Sequence, residues 1–324
     1  MKKNKETLPE TEPTPKKKRK VGKIIRRVIL AILLVLILLI AYLVREGVHG
    51  RGALSFVAYL TNPGQLTEEI YTVNVQDFEV QNDEQTIRGK LYVPEDGLDS
   101  RPFLVISHGF NCQSDLLSRK ANSLAQAGIA TVLFDFRGGS TRGQSDGEMI
   151  DMTLSSEISD LNTVIDYTKE HNDWVDENKI FLMGESFGGL VSSQTAPLRS
   201  DIAGVILCFP ALHVQDAAKS LWSSVDEIPE NYDVNGATTG KAYWEELWNL
   251  DVYGNLAKYT GKVMILHGTE DQMVDPDYSV KANLAYTDSE LFFVEGAGHG
   301  FGGADQKETL KSMLRFIQKE TLKK

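Results

Sequence analysis

The chain is poor in the residues that most often betray a scaffold or a bound ion. Only two of its 324 residues are cysteines, Cys112 and Cys208, which excludes a disulfide framework. Neither sits in a recognisable thiolate-activating setting, so both are expected to be free thiols. His108 has no partner ligands at metal-site spacing, and no cofactor is implied. Internal repeats and low-complexity bulk are absent as well. Net positive charge is missing from most of the chain. Residues 1–27 carry eleven Lys/Arg against three Glu, a local +8, so with −11 overall the remainder stands at about −19. An acidic body of that kind has no basic surface for phosphates, which excludes nucleic acid as a partner.

Long apolar runs are also scarce, with one exception. Val28 to Val44 is seventeen residues without a charge, almost all Leu, Ile, Val or Ala. With Ile24 and Ile25 before it, the run is near the lower limit for crossing a bilayer. A cleaved signal peptide has a shorter apolar region and a small-residue cleavage site, whereas Tyr42-Leu43-Val44-Arg45-Glu46 has no such end. The expectation is an uncleaved transmembrane anchor at 28–44, a basic cytoplasmic tail at 1–27 and an extracytoplasmic body, because Lys/Arg excess holds its side of a span in the cytoplasm. Pro15-Lys16-Lys17-Lys18-Arg19-Lys20-Val21 resembles a nuclear import signal, but beside a span it reads as a topology determinant.

Residues 45–66, rich in glycine and ending in Asn62-Pro63-Gly64, read as a connector. The domain proper is expected over 67–324. Alternation from Tyr71 to Val80 and from Ile87 to Val93 predicts two strands with Asn82-Asp83 near the turn. Six short apolar runs follow: Phe103–Ser107, Thr131–Phe136, Ile180–Met183, Val205–Phe209, Val263–Leu266 and Leu291–Val294. Such runs suit strands buried on both faces. Amphipathic stretches such as Ser114–Ala127, Leu154–Glu170 and Phe187–Pro197 lie between them, so the expected architecture is a mostly parallel sheet flanked by helices. The interval 211–258 breaks the rhythm and holds three of the four tryptophans. A long insertion inside a compact domain is usually functional, and this one reads as a lid after the sixth strand.

Chemistry concentrates at Gly184-Glu185-Ser186-Phe187-Gly188. Gly-x-Ser-x-Gly alone occurs by chance in roughly one chain in ten of this length. Here Lys179–Met183 reads as a strand and Phe187–Val191 opens a helix, the strand–turn–helix setting of a nucleophile elbow. Ser186 is the expected nucleophile. A serine hydroxyl needs a base to take its proton, and His299, in a glycine-rich loop after the last strand, fits the chain order Ser, acid, His. His267 ends a strand and reads as structural. The acid should follow the preceding strand: Asp271 is the choice, with Glu270 and Asp275 as alternatives. The oxyanion donors are expected to be the backbone N–H of Phe187 and, from the loop His108-Gly109-Phe110-Asn111, that of Phe110.

Together His108-Gly109-Phe110, Asp135-Phe136-Arg137-Gly138-Gly139-Ser140, the Ser186 motif, His267-Gly268-Thr269-Glu270-Asp271 and Gly296-Ala297-Gly298-His299 resemble the α/β-hydrolases. Within them the chain is similar to bacterial cinnamoyl/feruloyl esterases and serine aminopeptidase-like hydrolases, over about residues 68–320. Met152-Thr153, Glu157 and Asp160 also suit the esterases, while Glu185 stands where His is commoner. The resemblance implies an α/β-hydrolase fold, a Ser186–Asp271–His299 triad and a lid shaping an acyl pocket. It implies a small-molecule carboxylic ester as substrate. A peptidase of the same fold, and a membrane-anchored binding protein with an inactive hydrolase body, are the alternatives.

Overall fold

The computed structural model describes residues 15–322. The first fourteen residues of the expected basic tail lie outside the described residues. The chain separates into two units, Met1–Arg45 and Glu46–Lys324. Helix α1 (Pro15–Val48) supplies the described part of the first. Its stretch Ile25–Val48 has a mean hydropathy of 3.1 over the most apolar window, none of it buried. The helix thus extends beyond the seventeen uncharged residues on both sides.

In the second unit, a short helix α2 (Val57–Leu60) precedes the hairpin β1 (Val73–Asn82) and β2 (Gln85–Pro94). The turn falls at Asp83, whose φ of 53° is a left-handed conformation that Asp tolerates. Then come β3 (Arg101–Ser107), α3 (Ser118–Gln126), β4 (Ala130–Phe134), α4 (Leu154–His171), β5 (Val175–Glu185), α5 (Phe187–Thr195) and β6 (Ile202–Cys208). The insertion holds α6 (Val214–Leu221), the hairpin β7 (Asn231–Val234) and β8 (Ala237–Gly240), α7 (Lys241–Asn249) and α8 (Val252–Leu256). Strand β9 (Lys262–Gly268), α9 (Asp277–Ala285), β10 (Ser289–Val294) and α10 (Gly303–Thr321) complete it.

The large sheet has the order β1-β2-β4-β3-β5-β6-β9-β10. Strand β2 runs antiparallel to both β1 and β4, and all other pairs are parallel. Alternation along the central strands serves two cores. Phe103, Val105, Ile180 and Leu182 join a cluster with Leu161 and Val164 of α4 and Leu190 of α5. Leu104, Ile106, Phe181 and Met183 join the other, with Leu124 of α3 and Leu314 and Ile317 of α10. Both faces are therefore covered, as parallel sheets require. The expectation of two-sided burial fails at β10, where Phe292 and Phe293 are exposed, because β10 is the edge strand.

Helix α4 starts where its sequence directs. Thr153 Oγ1 accepts from Ser156 N at 3.1 Å, and Ser156 Oγ accepts from Thr153 N at 2.9 Å, a reciprocal cap. This matters for the site because α4 carries Asp160 under the loop after β4. Asp160 accepts from Arg137 N at 2.8 Å and Arg137 Nε at 2.6 Å, fixing that loop.

Candidate active site

Ser186, Asp271, His299 and Phe110 all follow the carboxyl ends of parallel strands: β5, β9, β10 and β3. Residues borne there converge on one edge of such a sheet. Ser186 sits between β5 and α5 with φ 53° and ψ −118°, a conformation costing about 1–3 kcal/mol for a non-glycine residue. The flanking glycines show why the turn can be this tight. A Cβ on Gly184 would run into the Gly188 carbonyl, and a Cβ on Gly188 into the carbonyls of Ser107 and His108. Ser186 N donates to Cys208 O at 3.0 Å, and Ala211 N to Ser186 O at 2.9 Å, so the strained turn is pinned from β6.

The structure brings Ser186, His299 and Asp271 together. His299 Nε2 lies 2.8 Å from Ser186 Oγ and His299 Nδ1 lies 2.7 Å from Asp271 Oδ2. Asp271 Oδ1 accepts from Met273 N at 2.9 Å and Val274 N at 3.0 Å. Burial pushes the Asp271 carboxyl up, but hydrogen bonds from His267, His299 and Val274 N together with the nearby His299 charge hold it well below the usual carboxylate range. The imidazole of His299 packs edge-on against Phe209, 4.8 Å between ring centroids. The other two acids point elsewhere. Glu270 bonds Arg51 Nη1 at 2.5 Å, and the exposed Asp275 accepts from Asp277 N at 2.9 Å.

The loop 108–111 packs directly on the serine: a Cβ added to Gly109 would lie 3.2 Å from Ser186 Cβ. His108 shapes this loop from inside the core. Its Nε2 accepts from Phe136 N at 3.1 Å, so Nδ1 carries the proton and donates to Gly109 O at 2.8 Å. Burial lowers its pKa, consistent with an uncharged strut. Among the described residues, no turn, loop or cap acceptor takes up the N–H of Phe110 or Phe187. Their rings lie 6.0 and 5.6 Å from that of Tyr243 on α7, so the insertion reaches the site through an aromatic side chain. Burial pushes the Cys112 thiol up to about 11 and Cys208 well above its usual range, so neither offers a thiolate at neutral pH.

Two contributors are not evident from the sequence. His267 donates toward Asp271 and is wholly buried; the sequence marks it as structural, but not as a partner of Asp271. Tyr243 reaches the site from 57 positions beyond Ser186 and has no motif around it.

The model of the prolyl oligopeptidase family matches residues 116–324, more than half of the chain. The chain belongs to this family. Its mostly parallel sheet with helices on both faces is the α/β-hydrolase fold. Among solved structures it is similar to Est1E from Butyrivibrio proteoclasticus with ferulic acid bound: TM-score 0.69, 25% identity, covering 76% of this chain and all of that one. The α/β hydrolase GrgF from Penicillium sp. has the same fold, with TM-score 0.63 at 20% identity over 76% of this chain and 99% of that one. Among curated sequences, an uncharacterized 31.7 kDa protein of Escherichia coli is 36% identical over 98 residues, 30% of this chain and 32% of that protein. A polyketide transferase of Penicillium sp., grgF, is 33% identical over 129 residues, 39% of this chain and 42% of that protein. The matched region thus spans well under half the length of these curated relatives.

Proposed function

We propose that this protein is a serine hydrolase that cleaves carboxylic esters with small or aromatic acyl groups through an acyl-Ser186 intermediate. The observation that carries the reading is the continuous chain Ser186 Oγ–His299–Asp271 at 2.8 and 2.7 Å. In this mechanism His299 Nε2 takes the Ser186 proton as Oγ attacks the carbonyl carbon, and Asp271 steadies the imidazolium at Nδ1. The N–H groups of Phe110 and Phe187 receive the oxyanion. Collapse of the tetrahedral intermediate breaks the ester C–O bond, and His299 returns the proton to the leaving alcohol. Water then attacks the acyl-enzyme by the same route and releases the acid.

Support for an ester rather than a peptide comes from the likeness to Est1E with ferulic acid bound and from the aromatic cluster of Phe110, Phe187 and Tyr243 beside Ser186. The family match supports the second reading, a serine peptidase of the same fold. A panel of p-nitrophenyl esters set against aminoacyl-anilides decides: turnover of anilides with no ester turnover overturns the esterase reading. Covalent labelling of Ser186 by a fluorophosphonate tests catalysis itself. An intact chain that fails to label is a binding protein with an inactive hydrolase body.

The same proposal places the body outside the cytoplasm on a single span. Support comes from the apolar stretch Ile25–Val48 and the basic residues before it. Protease added to intact cells should digest the body and spare the N-terminus; the reverse pattern overturns this orientation.

A further inference from the structure

Residues 46–61, the last turn of α1 and the stretch after it, lie against the loops that carry His299 and Asp271 and reach the Ser186 elbow through Lys120. At the histidine loop the approach is backbone on backbone. Gly298 N donates to His49 O at 2.8 Å. A Cβ on Gly50 would strike the Gly300 carbonyl, one on Gly298 the Gly50 carbonyl, and one on Gly302 the Val48 carbonyl. Three glycines in two distant segments are therefore needed for the same contact, which brackets His299 on both sides. Beyond the loop, His49 Nδ1 meets Asp305 Oδ2 at 2.9 Å, and Gly303 N donates to Thr61 Oγ1 at 3.0 Å, tying both ends of the segment to the start of α10.

At the acid loop the contact is ionic. Arg51 is held by Glu46, Nε to Oε2 at 3.0 Å, and reaches Glu270 Oε2 with Nη1 at 2.5 Å, beside Asp271. At the elbow, the ring of Tyr59 covers the ammonium of Lys120 at 5.1 Å. Lys120 pairs in turn with Glu185, the residue before Ser186, and that pair is almost fully buried.

The geometry points to a positioning role: residues 46–61 form a strap that holds the His299 and Asp271 loops in register with Ser186, with Arg51 as its adjustable ionic contact. This rests on the reading of His299 as the base and Asp271 as its partner. Arg51 acts through Glu270 and the loop backbone and touches no substrate. Ring placement is the quantity at stake, because a displacement of about 1 Å can cost on the order of a hundredfold in rate. Loss of the strap should therefore appear in turnover, with substrate binding unchanged.

The test uses the full chain in detergent or vesicles, with a p-nitrophenyl ester and a fluorophosphonate probe. Arg51→Ala should lower kcat about tenfold and slow fluorophosphonate labelling similarly, leaving KM within about twofold. Arg51→Lys, which keeps a positive charge beside Glu270, should recover most of the loss. Gly50→Ala, which forces the strap off Gly300, should lower kcat further. If Gly50→Ala does not fold, Arg51→Ala still decides the matter. A kcat for Arg51→Ala within about twofold of the parent overturns the strap, as does a loss that Arg51→Lys does not recover. A parent chain that fails to label at all removes the hydrolase mechanism instead, so the two failures are distinct.

Discussion

His267 Nε2 stands 3.1 Å from Asp271 Oδ2, the same oxygen that His299 Nδ1 meets at 2.7 Å. That nitrogen is also 3.0 Å from the Val274 carbonyl, which can only accept, so Nε2 carries a proton. Ser279 Oγ holds the opposite ring nitrogen at 2.6 Å. The carboxylate is thus oriented by a second imidazole that never meets the serine. His267→Phe should keep the volume but remove that donor and leave Ser279 Oγ and the Val274 carbonyl without their partner. The expected cost is about 1–3 kcal/mol of stability from the unmade buried bonds. A fall in kcat of about tenfold should accompany it as Asp271 loosens. Urea unfolding and ester turnover check both, and a variant matching the parent in both would show that His267 only fills space.

The proposed mechanism makes a sharper demand on the relay itself. Ser186→Ala and His299→Ala should each lower kcat by several orders of magnitude, and combining them should add little, since the residues act as a unit. Asp271→Asn should cost on the order of ten thousandfold through the wrong imidazole tautomer. Asp275→Asn should stay within about twofold, because its exposed carboxylate caps only Asp277 N. Rates from a single ester substrate are enough; the opposite ranking of the two aspartates would reassign the acid.

The central strands were legible because their side chains are apolar on both faces, and a run such as Phe103–Ser107 has little else it can form. The chain order of Ser186, Asp271 and His299 singled out three side chains that do lie within hydrogen-bonding distance. What local pattern could not reveal was contact between distant backbones. The glycines at 47, 50 and 52 read as part of a connector; that Gly50 abuts Gly300 leaves no periodic trace. His267 reads as structural from the sequence, and its bond to Asp271 depends on how the chain turns after β9. Exposure of Phe292 and Phe293 follows from the strand order, which no single run encodes.

Acid sensitivity can be placed at a second carboxylate. Asp201 is partly buried, which raises its pKa, but bonds from Arg199 at 2.7 and 2.8 Å and from Lys169 at 2.9 Å bring it down to about 2. A folded-state pKa below the unfolded value of about 4 means stabilisation that is full above that value and is lost as pH falls through the folded one. Asp201→Asn should therefore be less stable than the parent at neutral pH, with the gap closing between about pH 4 and pH 2. Because the cluster is partly exposed, added salt should narrow the gap. Denaturant midpoints across that pH range measure it; a gap constant with pH would mean that packing of the substituted amide, and not charge, sets the difference.

Tyr243 is the point where the insertion meets the proposed oxyanion loop. Its ring lies 6.0 Å from Phe110 and 5.6 Å from Phe187, and it is buried. If the insertion selects aromatic acyl groups, this contact is where it would do so, since an offset or edge-on ring pair adds about 0.5–1.5 kcal/mol beyond the area it buries. Tyr243→Leu keeps an apolar side chain of smaller area and removes the ring. The ratio of kcat/KM for a phenylpropenoyl ester to that for the acetyl ester of the same alcohol should then fall about tenfold, the scale of a single apolar pocket contact. Turnover of the acetyl ester should change far less, because Tyr243 touches none of the proton-transferring groups. Equal losses on both esters would place Tyr243 in the support of the Phe110 loop and leave acyl selection to other residues of the insertion.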